Sequence, residues 1–224
     1  MEFITTCSIF NTMPDSNLWK WGLPFLNIAS VVPSTHALGP GQRAAVWVHG
    51  CPIHCPHCIV PEWWPDSFSH LVKPEILAEE ILALPEISGI TISGGEPTLQ
   101  AAGLVHLIRT ARSLRDISII CFSGFTLEEL RTRPAETGVP ELLSELDVLV
   151  DGPYIHAQND NLGLRGSTNQ RIHHLGNRLK EFDLSSQPRQ IEFFVEGESL
   201  VMAGIPPRQF RSMVNWALRN LGQF

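Results

Sequence analysis

The sequence predicts an α/β protein, an open partial (β/α) barrel with a largely parallel sheet of about five or six strands. Short apolar runs alternate with amphipathic stretches of helical period from residue 44 to the last motif. Those runs are too few to close an eight-stranded barrel, so the sheet is expected to stay open. In sheets of this kind chemistry gathers at the carboxyl ends of the strands.

The elements follow in order. Residues 1–24 read as an irregular leader containing Pro and Trp, without a clear period. Residues 25–32 (FLNIASVV) form a strand, followed by a Pro/Gly loop, and Ala44–Val48 is a short apolar strand ending at Gly50. Lys73–Leu84 carries apolar residues at 76, 77, 81, 82 and 84, a helical stripe with Pro74 near its start. Gly89–Ser93 is a strand closed by two glycines, Thr98–Arg115 a helix, and Ile117–Phe122 a strand of buried type. Thr126–Arg133 opens with a Thr-x-x-Glu capping signature and reads as helix. A short helix over Pro140–Leu146 and a strand over Asp147–Val150 come next. Residues 152–189 are rich in polar and turn residues and read mostly as loop. Gln190–Glu196 reads as a strand, and Pro207–Leu221 as a final helix with Trp216 and Leu218 inward. No repeat or linker divides the chain. One domain is expected over 25–224, with a cysteine loop at 49–60 and a C-terminal extension over about 176–224.

Composition narrows the function. The 224 residues are 43% hydrophobic, with 17 Gly and 17 Pro serving as loop punctuation. Mean hydropathy is near zero, which suits a packed core and not a disordered chain. The formal net charge is −7 and no Lys/Arg run stands out, against nucleic acid as a partner. No stretch reaches the roughly 20 apolar residues of a membrane span. The N-terminus lacks the basic lead of a secretory signal, so a cytoplasmic location is expected.

Three of the five cysteines fall within eight residues, Cys51-Pro-Ile-His-Cys55-Pro-His-Cys58, on the loop after a strand. A secreted disulfide framework would spread its thiols in pairs, whereas clustered thiols in a reducing compartment point to metal. Three thiolates can hold three irons of a [4Fe–4S] cluster and leave the fourth open. The amine and carboxylate of S-adenosylmethionine would suit that open position. The competing reading is a structural zinc site, with the three cysteines joined by His49, His54 or His57.

A second motif, Ile92-Ser93-Gly94-Gly95-Glu96-Pro97, ends a predicted strand about forty residues later. Its two glycines remove side chains where backbone must approach a ligand closely, and Pro97 opens the next helix. Taken alone it would be an ordinary strand-to-helix turn. Together with the cysteines it weighs toward the cluster.

These residues make the chain resemble the radical S-adenosylmethionine superfamily, and within it the small activating enzymes of glycyl-radical proteins. The resemblance extends through Gly39–Arg43, His49–Cys58, Ser93–Pro97, Asp147–Pro153 and Leu164–Ile172, about two-thirds of the chain. It implies that Cys51, Cys55 and Cys58 ligate a [4Fe–4S] cluster. It implies too that His57 and Ile59 touch S-adenosylmethionine through backbone, and that the Ser93–Glu96 turn, chiefly Gly95 and Glu96, takes the methionyl amine. The activity implied is abstraction of hydrogen from a backbone glycine of a partner such as anaerobic ribonucleotide reductase. A flavodoxin- or ferredoxin-type protein would donate the electron. The alternatives are a radical enzyme of the deazaguanine-forming or peptide-modifying type and, as a lesser one, a zinc-binding interaction module. Where the superfamily often places an aromatic beside the last cysteine, this chain has His57 and Ile59, and about fifty residues follow the last motif.

Arg165 and Asn169, in a polar loop crossing the open end of the sheet, are candidates for a cofactor carboxylate or for positioning the partner's glycine loop. The competing role is a self-satisfied turn. Asp151 is expected to cap the next segment more than to bind a ribose. His173 and His174, adjacent and pointing opposite ways, make a poor metal pair. Cys121 reads as a buried apolar residue and Cys7 as isolated. Trp63 and Trp64 either shield the cluster or simply pack.

Overall fold

The computed structural model of the chain describes residues 25–68, 70–196 and 199–220. The expected leader at 1–24 lies outside them. Nine strands occur among the described residues: β1 (Leu26–Thr35), β2 (Arg43–Val48), β3 (His70–Val72), β4 (Gly89–Gly94), β5 (Ser118–Ser123), β6 (Val148–Asp151), β7 (Arg171–His174), β8 (Ile191–Glu196) and β9 (Ser199–Gly204). The helices are α1 (Pro74–Leu82), α2 (Ala101–Leu114), α3 (Leu127–Arg131), α4 (Val139–Glu145) and α5 (Phe210–Asn220).

Seven strands form one mixed sheet in the order β3-β1-β2-β4-β5-β6-β7. β2, β4, β5 and β6 run parallel, while β1 and β7 pair antiparallel to their neighbours. β3, antiparallel to β1, brings the strands of one sense to five of seven, so the sheet is mostly parallel. The expected five or six strands become seven because β3 and β7 lie at the edges. There they need no two-faced apolar run, and their sequences (HLV, RIHH) show none. β8 does not extend this sheet; it pairs with β9 as a separate two-stranded sheet.

Alternation along the parallel strands sets up the two faces. Ala44, Val46 and Val48 of β2, Ile119 and Cys121 of β5, and Leu149 of β6 enter one core beneath α1, α2 and α4. Ala45 and Trp47 point the other way, against Ala203, Phe194 and Ile205, and Ile120, Val148 and Val150 pack on Leu164, Leu179 and Leu184. Helices thus cover one face, and loops with the β8–β9 hairpin cover the other. α3 carries the anticipated capping box, Thr126 Oγ1 accepting from Glu129 N while Glu129 accepts from Thr126 N at 2.7 Å. In α5, Trp216 is 68% exposed, contrary to its expected inward position, and the Leu218 side chain lies outside what is described.

The Gly39–Arg43 motif has a structural task at the amino ends of the strands. Arg43 is fully buried and donates to Thr91 Oγ1 (2.7 Å), Ser118 Oγ (2.8 Å), Ile90 O (2.9 Å) and Ser118 O (3.0 Å). One side chain thereby ties β2, β4 and β5 together. Burial pulls its pKa down to about 9.

Candidate cluster and cofactor site

The cysteines leave the carboxyl end of β2 and the chain returns at the tryptophans. Gly50 N donates to Trp63 O and Cys51 N to Trp64 O, both at 3.0 Å, which closes the loop at its base. Cys58 N bonds Cys55 O at 3.0 Å. His54 (φ 49°) and His57 (φ 66°) adopt left-handed backbone directly before Cys55 and Cys58, turning the chain sharply before each. Trp63 sits 6.1 Å from Trp47 and Trp64 stacks on His54 at 4.7 Å, so both tryptophans pin the loop.

All three cysteines are half-buried free thiols. Burial raises the pKa of Cys51 and of Cys55, amide donors at Ile53, His54 and Tyr154 oppose it, and the other thiols raise it again. Three thiolates that repel one another are the donor set that cationic iron relieves. Among the described residues no three His, Cys, Asp or Glu side chains converge on a single ion.

The glycine turn is bonded to this loop. β4 runs beside β2 with Gly94 opposite Val48. Past the last pair, Gly95 N donates to Val48 O and Glu96 N to Gly50 O, each at 2.7 Å. A Cβ on Gly94 (φ +108°) would lie 2.5 Å from Val48 N, and one on Gly95 would lie 2.2 Å from Gly50 O. The sequence reading reserved that space for a ligand. The root of the cysteine loop fills it instead, and Ser93 and Gly94 still face a cavity.

Glu96 departs from expectation. Its carboxylate is wholly buried and accepts from Thr98 N (3.1 Å), Thr98 Oγ1 (2.6 Å), Ser123 Oγ (2.9 Å) and Gly124 N (2.8 Å). Burial raises its pKa, and those four donors only partly oppose it. The side chain braces β4 against β5 and is not among the residues that line the cavity.

The cavity measures about 620 Å³, within the range of small-molecule sites. One wall is the loop from His57 to Val60, and another is the strand ends at Trp47, Ser93 and Phe122. Tyr154, His156 and Gln170 form a third, and Met202 to Ser212 a fourth. His57 and Ile59 line the cavity. Arg165 and Asn169 do not line it: Arg165 pairs with Asp160 at 3.0 Å, and Asn169 bonds Pro153 O and Ser167 Oγ, both at 2.7 Å. Within this loop Arg165 Nε is buried without a hydrogen-bond partner among the described residues, and Gly166 and Gln170 turn toward the cavity. Gln170 accepts from Gly166 N at 2.7 Å and donates to Gly152 O at 2.8 Å. Tyr154, His156, Gln170, Ser123 and Gly124 carried no recognisable motif; the lone tyrosine after Asp151-Gly-Pro was the one available signal.

Asp151 caps, but not the segment that follows it. It accepts from Leu127 N at 2.6 Å, the first residue of the preceding α3, and from Arg171 at 2.7 Å, with His173 Nε2 at 3.0 Å. Burial raises its pKa, but these partners outweigh burial and the net shift is downward. His173 thus sits against the Asp151 carboxylate, and His174 is exposed.

Comparison with known proteins agrees with this arrangement. Residues 37–173 match the family model of a 4Fe-4S single cluster domain. An anaerobic ribonucleoside-triphosphate reductase-activating protein of Vibrio cholerae is 32% identical over 157 residues, 66% of this chain and 97% of that one. Its Escherichia coli K12 counterpart is 31% identical over 160 residues, 67% and 99% of the two chains. A Haemophilus influenzae protein, described as a glycyl-radical enzyme activating enzyme, is 34% identical over 104 residues; the alignment spans 40% of that relative's length. The solved structure of QueE from Escherichia coli overlays 51% of this chain and 59% of its own, at a TM-score of 0.39 and 17% identity, too loosely to bear on the argument. The chain belongs to the 4Fe-4S single cluster family and, within it, to the family of the anaerobic ribonucleoside-triphosphate reductase-activating proteins.

Proposed function

We propose that this chain is a radical S-adenosylmethionine activase that places a glycyl radical on a partner enzyme, an anaerobic ribonucleoside-triphosphate reductase by analogy with its relatives. The observation that carries this reading is the pair of 2.7 Å backbone bonds joining the cysteine loop to the glycine turn beside one cavity. When bound, the [4Fe–4S] cluster supplies the electron that cleaves S-adenosylmethionine to a 5′-deoxyadenosyl radical, which takes hydrogen from the partner's glycine. Cys51, Cys55 and Cys58 would hold the cluster through three thiolates, which would leave one iron for the cofactor.

The amide N–H groups of Gly95 and Glu96 are already spent on Val48 and Gly50. A methionyl amine is itself a donor, so its partners in the turn are the carbonyl oxygens of Ser93, Gly94 and Gly95. Glu96 acts by fixing that turn. His57 and Ile59 border the nucleoside through backbone. Trp47, Trp63, Phe122 and Ile205 give the cavity apolar walls that limit water, which a reactive radical requires. Arg165 and Asn169 receive no part in cofactor binding.

The same reading treats residues 25–224 as one radical S-adenosylmethionine domain after a leader at 1–24, with its sheet curled as an open partial barrel. The electron donor is a flavodoxin- or ferredoxin-type protein, and the compartment is the reducing cytoplasm. Among the described residues no helix is long and apolar enough to cross a membrane. The test is anaerobic incubation of the reconstituted chain with S-adenosylmethionine, a reductant and an anaerobic ribonucleoside-triphosphate reductase. Electron spin resonance should show a glycyl doublet on the reductase; its absence, with cofactor cleavage intact, points to a different substrate.

A further inference from the structure

The cavity wall around His156 is ordered by a chain of hydrogen bonds that begins outside the family match. Arg189, 5% exposed, donates from Nη1 to Asn159 Oδ1 at 2.7 Å. An arginine only donates, so the Asn159 oxygen must face it and the Asn159 amide nitrogen must face the other way. That nitrogen donates to Tyr154 Oη at 3.1 Å, and Tyr154 Oη lies 3.0 Å from His156 Nδ1. The bond to Tyr154 Oη thus anchors His156 through Nδ1, on a residue that lines the cavity.

Arg208 lines the same cavity. Its backbone N–H is held by Asn161 Oδ1 at 2.8 Å, and among the described residues its guanidinium has no hydrogen bond or ion pair. Burial first, then the neighbouring His57 and Arg208, lower the pKa of the His156 ring. His57 lies beside His156, the rings tilted with centroids 4.7 Å apart, within a chain of net charge −7. Arg189 and Arg208 both come after residue 173, where the family match ends. The Vibrio cholerae and Escherichia coli relatives are covered almost completely by 157 and 160 aligned residues of a 224-residue chain, so much of this chain has no counterpart in them. A residue supplied beyond the shared fold is suited to what varies between activases, the substrate, and not to the common cofactor.

We propose that His156 and Arg208 form a carboxylate-binding subsite that selects the substrate, resting on the activase reading above. The carboxylate is an acidic residue next to the reacting glycine of a polypeptide, or the free carboxylate of a small glycine derivative. A charge-assisted hydrogen bond of this kind is worth about tenfold in affinity.

The experiment uses the full chain, cluster-reconstituted, with S-adenosylmethionine and no reductant. Fluorescein-labelled decapeptides with one central glycine followed by Asp or by Asn are titrated by anisotropy, and N-acetylglycine and N-acetylglycinamide are compared as competitors. The proposal expects the Asp peptide to bind about tenfold tighter than the Asn peptide, or N-acetylglycine to compete where its amide does not; which pair responds identifies the source. Arg208→Gln should abolish the preference and Arg208→Lys restore part of it. Tyr154→Phe, which removes the anchor on His156 Nδ1, should reduce it without altering Asn-peptide affinity. No preference in either pair, or one that survives Arg208→Gln, overturns the subsite. If Arg208→Gln weakens S-adenosylmethionine binding, the arginine serves the cofactor and the substrate assignment falls. A wild-type chain that binds no S-adenosylmethionine overturns the activase reading itself.

Discussion

Gly95→Ala isolates the junction between the glycine turn and the cysteine loop. Gly95 carries no positive φ, so the substitution adds steric conflict without backbone strain. The new Cβ would lie 2.2 Å from Gly50 O and 2.8 Å from Gly50 C, both backbone atoms with no rotamer to yield. Relieving the contact to the 3.0 Å that real Cβ atoms need requires a shift of at least 0.8 Å. Such a shift breaks the 2.7 Å bond from Glu96 N to Gly50 O. An unpaired buried amide costs about 1–3 kcal/mol and the overpacking about 1–3 kcal/mol, so a loss of about 2–6 kcal/mol is expected. Gly124→Ala is the control, because its Cβ would meet only the Cδ1 end of Ile53, which can rotate away. It should cost under about 1 kcal/mol. Urea denaturation measures both variants, and iron per chain after reconstitution reports the loop. Gly95→Ala with near-wild-type stability and full iron would refute the idea that the turn holds the cluster loop in place.

Three further outcomes follow from the same geometry. Cys51→Ser, Cys55→Ser and Cys58→Ser should each lose iron and visible absorbance on reconstitution, whereas Cys121→Ala, altering a thiol sealed under the helices, should keep both. Glu96 has a folded pKa above its ordinary 4.5, so its contribution to stability is fully present below that value and is lost as pH rises through the folded pKa. Glu96→Gln should remove that decline in a series of urea curves taken upward from about pH 4.5. Asp151 titrates in the opposite sense: its folded pKa is depressed, so its stabilisation is lost as pH falls through that value, and Asp151→Asn should flatten the acid limb. The same variant should cost about 1–3 kcal/mol through the caps of Leu127 and Arg171, read from its urea midpoint at neutral pH.

The parallel centre of the sheet was legible because β2, β4, β5 and β6 are buried on both faces, and continuous apolar runs have few other uses. β7 was not, since Arg171 and His173 are there to pair with Asp151, and their polarity hid a strand. The cysteine loop and glycine turn were legible as motifs, but what the glycines make room for was not. Residue type says that a Cβ is missing; only coordinates say that Gly50 O occupies the space. Glu96 misled for a related reason. A carboxylate beside a ligand turn invites a role toward the ligand, and its four donors lie at residues 98, 123 and 124, two of them on a strand end that sequence spacing does not reveal. The hairpin and Arg208 were unreadable as site elements because proximity across the sheet leaves no local periodicity.

The most direct measurement of the central claim is 5′-deoxyadenosine formed by the anaerobically reconstituted chain with dithionite and S-adenosylmethionine, beside the spin-resonance signal of its reduced cluster. Formation of the nucleoside, with a cluster signal that changes when S-adenosylmethionine is added and is lost in Cys55→Ser, is the predicted result. An iron-loaded chain whose signal ignores S-adenosylmethionine and which forms no nucleoside would mean that no iron is open to it, contradicting the account.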